Sequence, residues 1–146
     1  MADCIFCKIA KGEISSHKFY DDGEFIAILD INPNTEGQSL VIPREHHGPD
    51  ISEMPDDVLG RFIVAAKKVA KQLRTKLPVK RCALVVEGTG VPHAHLKIFP
   101  MHGPEPEKVE CDQPRVWFDR YVGYTTTFLG PRADDAKLAA LAKRLR

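Results

Sequence analysis

Apolar residues recur along this chain with two different periods. Between Pro55 and Leu77, the residues Val58, Leu59, Phe62, Ile63, Ala66, Val69, Ala70 and Leu73 return every three or four positions. That is the spacing of one helical face and predicts the longest helix of the protein. Met54-Pro55-Asp56-Asp57 supplies a proline and acidic residues where a helix begins, and Pro78 marks the end. Lys67, Lys68, Lys71 and Arg74 fill its wet side. Cys4 to Lys11 predicts a short helix ended by Gly12, and Ala133 to Leu145 predicts a C-terminal helix with Leu138, Leu141 and Leu145 on one face.

Strand signals sit between the helices, and only His93 to Phe99 among them shows the second period, two. Lys18 to Asp21 and Glu24 to Ile31 flank Asp22-Gly23, a hairpin signal. Ser39 to Ile42 is a β-rich run closed by Pro43. Cys82 to Val86 and His93 to Phe99 flank the turn Glu87-Gly88-Thr89-Gly90. Hairpins clustered around one long helix predict an α+β fold with an antiparallel sheet. The stretch from Met101 to Pro131 is rich in Pro and Gly and carries no clear period.

Length and charge narrow the function. A chain of 146 residues suits a single domain, 1–146, with one core. A formal net charge of +1 argues against bulk attraction to nucleic acid or membrane, so phosphate binding needs a local site. No apolar run approaches the roughly 20 residues of a membrane helix. Met1 to Ala10 lacks the basic and long apolar segments of a signal peptide, so a cytoplasmic protein is expected. There Cys4, Cys7, Cys82 and Cys111 are thiols or metal ligands, not a disulfide framework.

His93, His95 and Lys97 are spaced by two. In a strand they share one face, roughly 6.6 to 7 Å apart, while Ala94, Leu96 and Ile98 turn to the core. Three nitrogen-bearing side chains on one face can grip an anion or present a nucleophile. Neutral imidazole attacks phosphorus and gives an adduct labile to water. Lys97 can hold phosphate oxygens as a point charge. An ordinary exposed sheet face carrying polar residues is the competing reading.

The string Gly90-Val91-Pro92-His93-Ala94-His95-Leu96-Lys97-Ile98-Phe99-Pro100 resembles the histidine triad (HIT) superfamily, whose signature alternates three histidines with hydrophobic residues. Asp3-Cys4-Ile5-Phe6-Cys7-Lys8-Ile9 resembles the N-terminus of many bacterial members. Phe25 to Ile31 looks like the nucleoside-binding strand, and Gly37 to His46 is similar to the glycine-to-proline strand and its basic loop. Together these cover most of Cys4 to Met101 in family order.

The resemblance implies an antiparallel sheet of about five strands, completed as a homodimer, binding a purine nucleotide or nucleotide conjugate. It implies cleavage at the α-phosphorus of a nucleoside phosphoramidate, acyl-adenylate or dinucleoside polyphosphate. His95 falls at the nucleophile, Asp30 at the carboxylate for ribose hydroxyls, and Ile14, Ile28 and Ile31 at apolar positions around the base. Three positions depart from the pattern. Lys97 occupies the third histidine position, Gly88-Thr89-Gly90 replaces a polar Gly-Gln-Ser element, and Gln38 sits where many relatives have histidine. Thr89 and backbone N–H groups are then the candidate phosphate contacts. A regulator that binds nucleotide without turnover, with Lys97 as an anion clamp, and a zinc-stabilised interaction module are the alternatives.

Cys4-Ile5-Phe6-Cys7 has the spacing of two zinc ligands. Two reduced cysteines on a short helix, or a redox pair, share that spacing. Resemblance adds His46 and His93, giving a closed Cys2His2 site for structural zinc, with His47 the competitor for His46. His17 and His102 read as surface residues. The aromatics Trp117, Phe118, Tyr121, Tyr124 and Phe128 read as cover for the core or a dimer seam, or as a cap on the pocket with Arg115 and Arg120 on phosphates.

Overall fold

A computed structural model describes residues 4–103, all within one compact unit. The C-terminal helix, Cys111 and the aromatic segment lie outside the described residues. Helix α1 spans Ile5–Lys11, strand β1 Lys18–Asp21, β2 Phe25–Leu29 and β3 Ser39–Pro43. A single 3₁₀ turn, Ile51–Glu53, leads into helix α2, Asp56–Lys76, followed by β4, Cys82–Val85, and β5, Leu96–Pro100. The strands form one sheet in the order β1-β2-β3-β5-β4, with every neighbouring pair antiparallel. The α+β expectation holds.

Each sheet face is covered by a different helix. Phe25, Ala27, Val41, Leu96 and Ile98 pack with Phe62, Ala65, Ala66, Val69 and Leu73 of α2. Phe25 stacks on Phe62 with ring centroids 5.5 Å apart. Ile26, Ile28, Leu40 and Ile42 meet Phe6 and Ala10 of α1 on the opposite face. β2 and β3 therefore carry continuous apolar runs instead of alternation, as strands covered on both sides do. Burial of this kind is the main source of stability, at roughly 25 cal/mol per Å² of apolar surface.

Several boundaries differ from the sequence pattern. Pro55 sits at the cap of α2, outside the helix. Ile63 is exposed, because the buried stripe runs through Phe62, Ala65, Ala66, Val69 and Leu73, and Ile63 is turned about 100° past Phe62. β2 ends at Leu29, where Asp30 turns the chain. Strand pairing on the histidine segment begins only at Leu96. His93, Ala94 and His95 precede it as an approach segment held by Ala94 N–H donating to the His47 carbonyl at 2.9 Å.

Short α1 needs outside help to hold its place. Gly12, with φ +82°, closes it through backbone N–H bonds to Ile9 and Lys8. Arg44, just past β3, donates to the Ala10 carbonyl and forks onto Asp21 at 2.5 and 3.3 Å. One guanidinium thus ties α1, β1 and the end of β3 together. Lys18 and Arg44 hold the Asp21 carboxyl well below the usual carboxylate range.

Candidate functional site

The α1 face of the sheet carries the chemistry. In register across it, Ile28 pairs with Leu40, Leu40 with Lys97, and Lys97 with Val85. The ring of His95 lies edge-on to Phe6 of α1, with centroids 5.2 Å apart. Ala94, Leu96 and Ile98 point the other way, into the α2 core. His93, His95 and Lys97 therefore share a side, although only Lys97 belongs to the strand.

His93 is fully buried and His95 is only 3% exposed. The two rings are fixed in opposite senses. His93 Nε2 lies 3.0 Å from the Pro43 carbonyl. A carbonyl only accepts, so Nε2 carries the proton and Nδ1 presents a lone pair. His95 Nδ1 lies 2.8 Å from the His93 carbonyl. The same logic puts its proton on Nδ1 and leaves the Nε2 lone pair available.

The His93 Nδ1 lone pair faces a tetrad. It is 3.4 Å from Cys4 Sγ, 3.5 Å from Cys7 Sγ and 3.2 Å from His46 Nδ1, and Cys7 Sγ is 3.4 Å from His46 Nδ1. All four ligand atoms lie within 4.8 Å of one another. One lone pair cannot serve three neighbours by hydrogen bonding, whereas a central cation takes one lone pair from each group. Burial pulls His93 down to about 4, so its ring is neutral, as a metal ligand must be. Burial, reinforced by neighbouring Cys4, pushes the Cys7 thiol up, and a bound cation would reverse that. These four residues could hold a metal ion. His47 is outside the tetrad and contributes its backbone carbonyl to Ala94.

Asp30 sits two residues past Ile28, at the end of β2. Its Oδ1 accepts from Asn32 N–H at 2.8 Å and its Oδ2 from Gln38 Nε2 at 2.8 Å. Gln38 is 4% exposed, and its Oε1 accepts from Asn34 N–H at 2.6 Å. Each carboxylate oxygen keeps one further lone pair. Ile14 is half-buried and Ile28 buried, whereas Ile31 is 82% exposed and forms no wall among the described residues. Thr89 is exposed on the turn after β4. His17 and His102 are exposed, and His102 Nε2 donates to the Glu36 carbonyl at 3.0 Å. Half-buried Cys82 is raised by burial.

Three roles were missed in the sequence pattern. Gln38 orients Asp30, Phe6 backs both histidine rings, and Glu87 forms an ion pair with Lys97 Nζ. The Lys97 and Glu87 side chains are 26% and 15% exposed. Lys97 is therefore not a bare point charge awaiting an anion, because a carboxylate already engages it.

A five-stranded antiparallel sheet with a long helix on one face, and a buried histidine pair beside a Cys2His2 tetrad on the other, defines a small α+β protein of histidine-centred chemistry. The HIT domain matches residues 11–103, and the chain belongs to this family. It is 40% identical over 112 residues to an uncharacterized HIT-like protein of Methanocaldococcus jannaschii, covering 73% of this chain and 85% of that one. It is 36% identical to an adenosine 5'-monophosphoramidase of Candida albicans, over 68% of this chain and 70% of the relative. A crystal structure from Streptococcus mutans UA159 superposes with a TM-score of 0.77 at 28% identity, covering 99% of this chain and 84% of the other. No helix among the described residues is long and apolar enough to cross a membrane.

Proposed function

We propose that this protein is a nucleotide-binding hydrolase or nucleotidyl transferase acting at the α-phosphorus through a covalent nucleotidyl-His95 intermediate. Its substrates are nucleoside phosphoramidates, acyl-adenylates or dinucleoside polyphosphates. The observation that carries the reading is the His95 Nδ1 bond to the His93 carbonyl, which leaves the Nε2 lone pair free to attack. Similarity to a monophosphoramidase supports the same class.

In the first step Nε2 forms a bond to phosphorus while the bond to the leaving group breaks. The leaving group departs with that electron pair and takes up a proton. In the second, water attacks phosphorus, the N–P bond breaks, and a nucleoside monophosphate, a proton and free His95 result. Asp30 accepts from the ribose hydroxyls through its unused lone pairs, and Ile14 and Ile28 flank the base. Ile31 reaches the base only from an exposed position, and Thr89 lies toward the phosphates. Lys97, while paired with Glu87, donates a hydrogen bond to the phosphate oxygens.

Cys4, Cys7, His46 and His93 would hold structural zinc. A tetrahedral zinc at its usual bond lengths sets ligand atoms about 3.3 to 3.8 Å apart; four edges of the tetrad, at 3.2 to 3.5 Å, lie close to this, and all four ligand atoms are within 4.8 Å of one another. When bound, zinc would cross-link the start of α1 to the residue two positions before the nucleophile. We place the protein in the cytoplasm as a single-domain homodimer; among the described residues β4 is an edge strand of the sheet, and Leu84 on it is exposed.

The test is turnover of an adenosine phosphoramidate. His95→Ala is expected to lose at least roughly a thousandfold in kcat while still binding AMP, as removal of a covalent nucleophile does. Activity near wild type in that variant would overturn the mechanism.

A further inference from the structure

Phe6 touches both histidine rings of the site. Its centroid lies 5.2 Å from that of His95 and 5.9 Å from that of His93, with interplanar angles of 70° and 81°. It is buried and packs with Ile26, Ile28, Leu40 and Ile42. In the chain it stands between Cys4 and Cys7, two members of the tetrad of which His93 is a third.

The His95 ring needs such a neighbour. Its Nδ1 bonds the His93 carbonyl, only two residues back. The last torsion of a histidine side chain is broad and roughly two-fold. A half-turn about it exchanges Nδ1 with Cδ2 and Nε2 with Cε1, and the lone pair leaves the direction of attack. The hydrogen bond opposes that turn, and Phe6 opposes it sterically, because a close-packed interior leaves a flat ring no space to sweep through.

The place of Phe6 depends in turn on the start of α1. Seven residues make a marginal helix on their own. Cys4 occupies the N-cap but makes no side-chain capping bond, and its Sγ faces His93 Nδ1 at 3.4 Å instead. Phe6 is therefore strung between two cysteines whose positions the tetrad sets.

We infer that Phe6 positions the His95 imidazole for attack and carries the order of the Cys4, Cys7, His46 and His93 tetrad to it. This rests on the reading of His95 as the nucleophile. Phe6 has no group to offer the phosphate and acts only through the ring it holds. A wall for the base would act on nucleotide affinity. A residue that keeps the Nε2 lone pair in line acts on kcat, because a small misplacement of a reacting atom is costly.

The experiment compares the wild-type protein, Phe6→Leu, Cys7→Ser and the double variant. Three quantities are measured on each: kcat for an adenosine phosphoramidate, AMP affinity by calorimetry, and the ring-nitrogen NMR shifts of His95 at an alkaline pH where imidazoles are neutral. Wild type is expected to show His95 as the single Nδ1–H tautomer. Phe6→Leu keeps most of the apolar volume but not the flat ring. It should give a mixture of His95 tautomers and lower kcat about tenfold or more, with AMP affinity changed by less than about threefold. Cys7→Ser should disturb His95 in the same way, and should add little once Phe6→Leu is present. An unchanged tautomer in Phe6→Leu, or weaker AMP binding with kcat retained, would overturn the inference. Fully multiplying losses in the double variant would overturn the link to the tetrad. The tautomer is read without turnover, so it decides on Phe6 even if no adduct forms on His95, an outcome that would count against His95 as nucleophile alone. Should Phe6→Leu fail to fold, Phe6→Met, whose flexible side chain fills irregular gaps, is read in its place by the same outcomes.

Discussion

At the scale of single residues, the site depends on groups that fix other groups. The His93 carbonyl sets the His95 tautomer, Pro43 sets that of His93, and Gln38 holds Asp30. Gln38 does this with both ends of one amide: Nε2 donates to Asp30 and Oε1 accepts from Asn34 N–H. Glutamate at position 38 would keep the shape but face one carboxylate with another in a buried setting. Gln38→Glu should therefore weaken ribonucleotide binding about tenfold or more while leaving a 2',3'-dideoxynucleotide nearly unaffected. Affinity measurements with the two ligands check this. Equal losses for both would mean that Gln38 serves the fold and not the ribose carboxylate.

Among elements, the contrast is between α2, held by a wide apolar stripe, and α1, a seven-residue helix held at its ends. Arg44 fastens the C-terminal end of α1, and the Cys4-Cys7 side faces His46 and His93. Chelating the metal, or Cys7→Ser, should loosen α1 preferentially. Amide exchange in Ile5–Lys11 is expected to speed up tenfold or more, about 1.4 kcal/mol, with β2 and β3 little changed. Metal analysis should give one zinc per chain. Protein that purifies without metal yet keeps α1 equally protected would contradict the structural role.

These elements also mark how far the sequence could be read. The period of α2, the DG turn and the apolar runs of β2 and β3 were legible because local spacing alone determines them. Of the tetrad, the Cys4–Cys7 spacing was legible locally, but His46 and His93 were legible only with the family resemblance, since they lie far from the cysteines in the chain. The Lys97–Glu87 pair was hidden because ten residues separate the partners. Their meeting depends on the β4–β5 register, which no short turn fixes. Gln38 stood out only as a departure from the family pattern; its hold on Asp30 escaped because one buried glutamine gives no periodic signal. The start of β5 was placed three residues early because alternation of His93, Ala94, His95 and Leu96 mimics a strand, while Ala94 is in fact bonded to the loop at His47.

Across the whole molecule, strand order turns scattered residues into a directed site. Asp30 follows β2, His95 immediately precedes β5, and Glu87 follows β4; on the proposed reading this sets the ribose carboxylate and the nucleophile along one face. The sheet is shared with a solved structure at a TM-score of 0.77. The central claim is that His95 Nε2 attacks phosphorus. Its most direct measurement is the intact mass of the protein, quenched during turnover of an adenosine phosphoramidate, followed by mapping of the modified peptide. One adenylyl group on His95, absent from His95→Ala and lost on standing in water, is the predicted result. Turnover with no adduct at any time, or an adduct on another residue, would contradict the account.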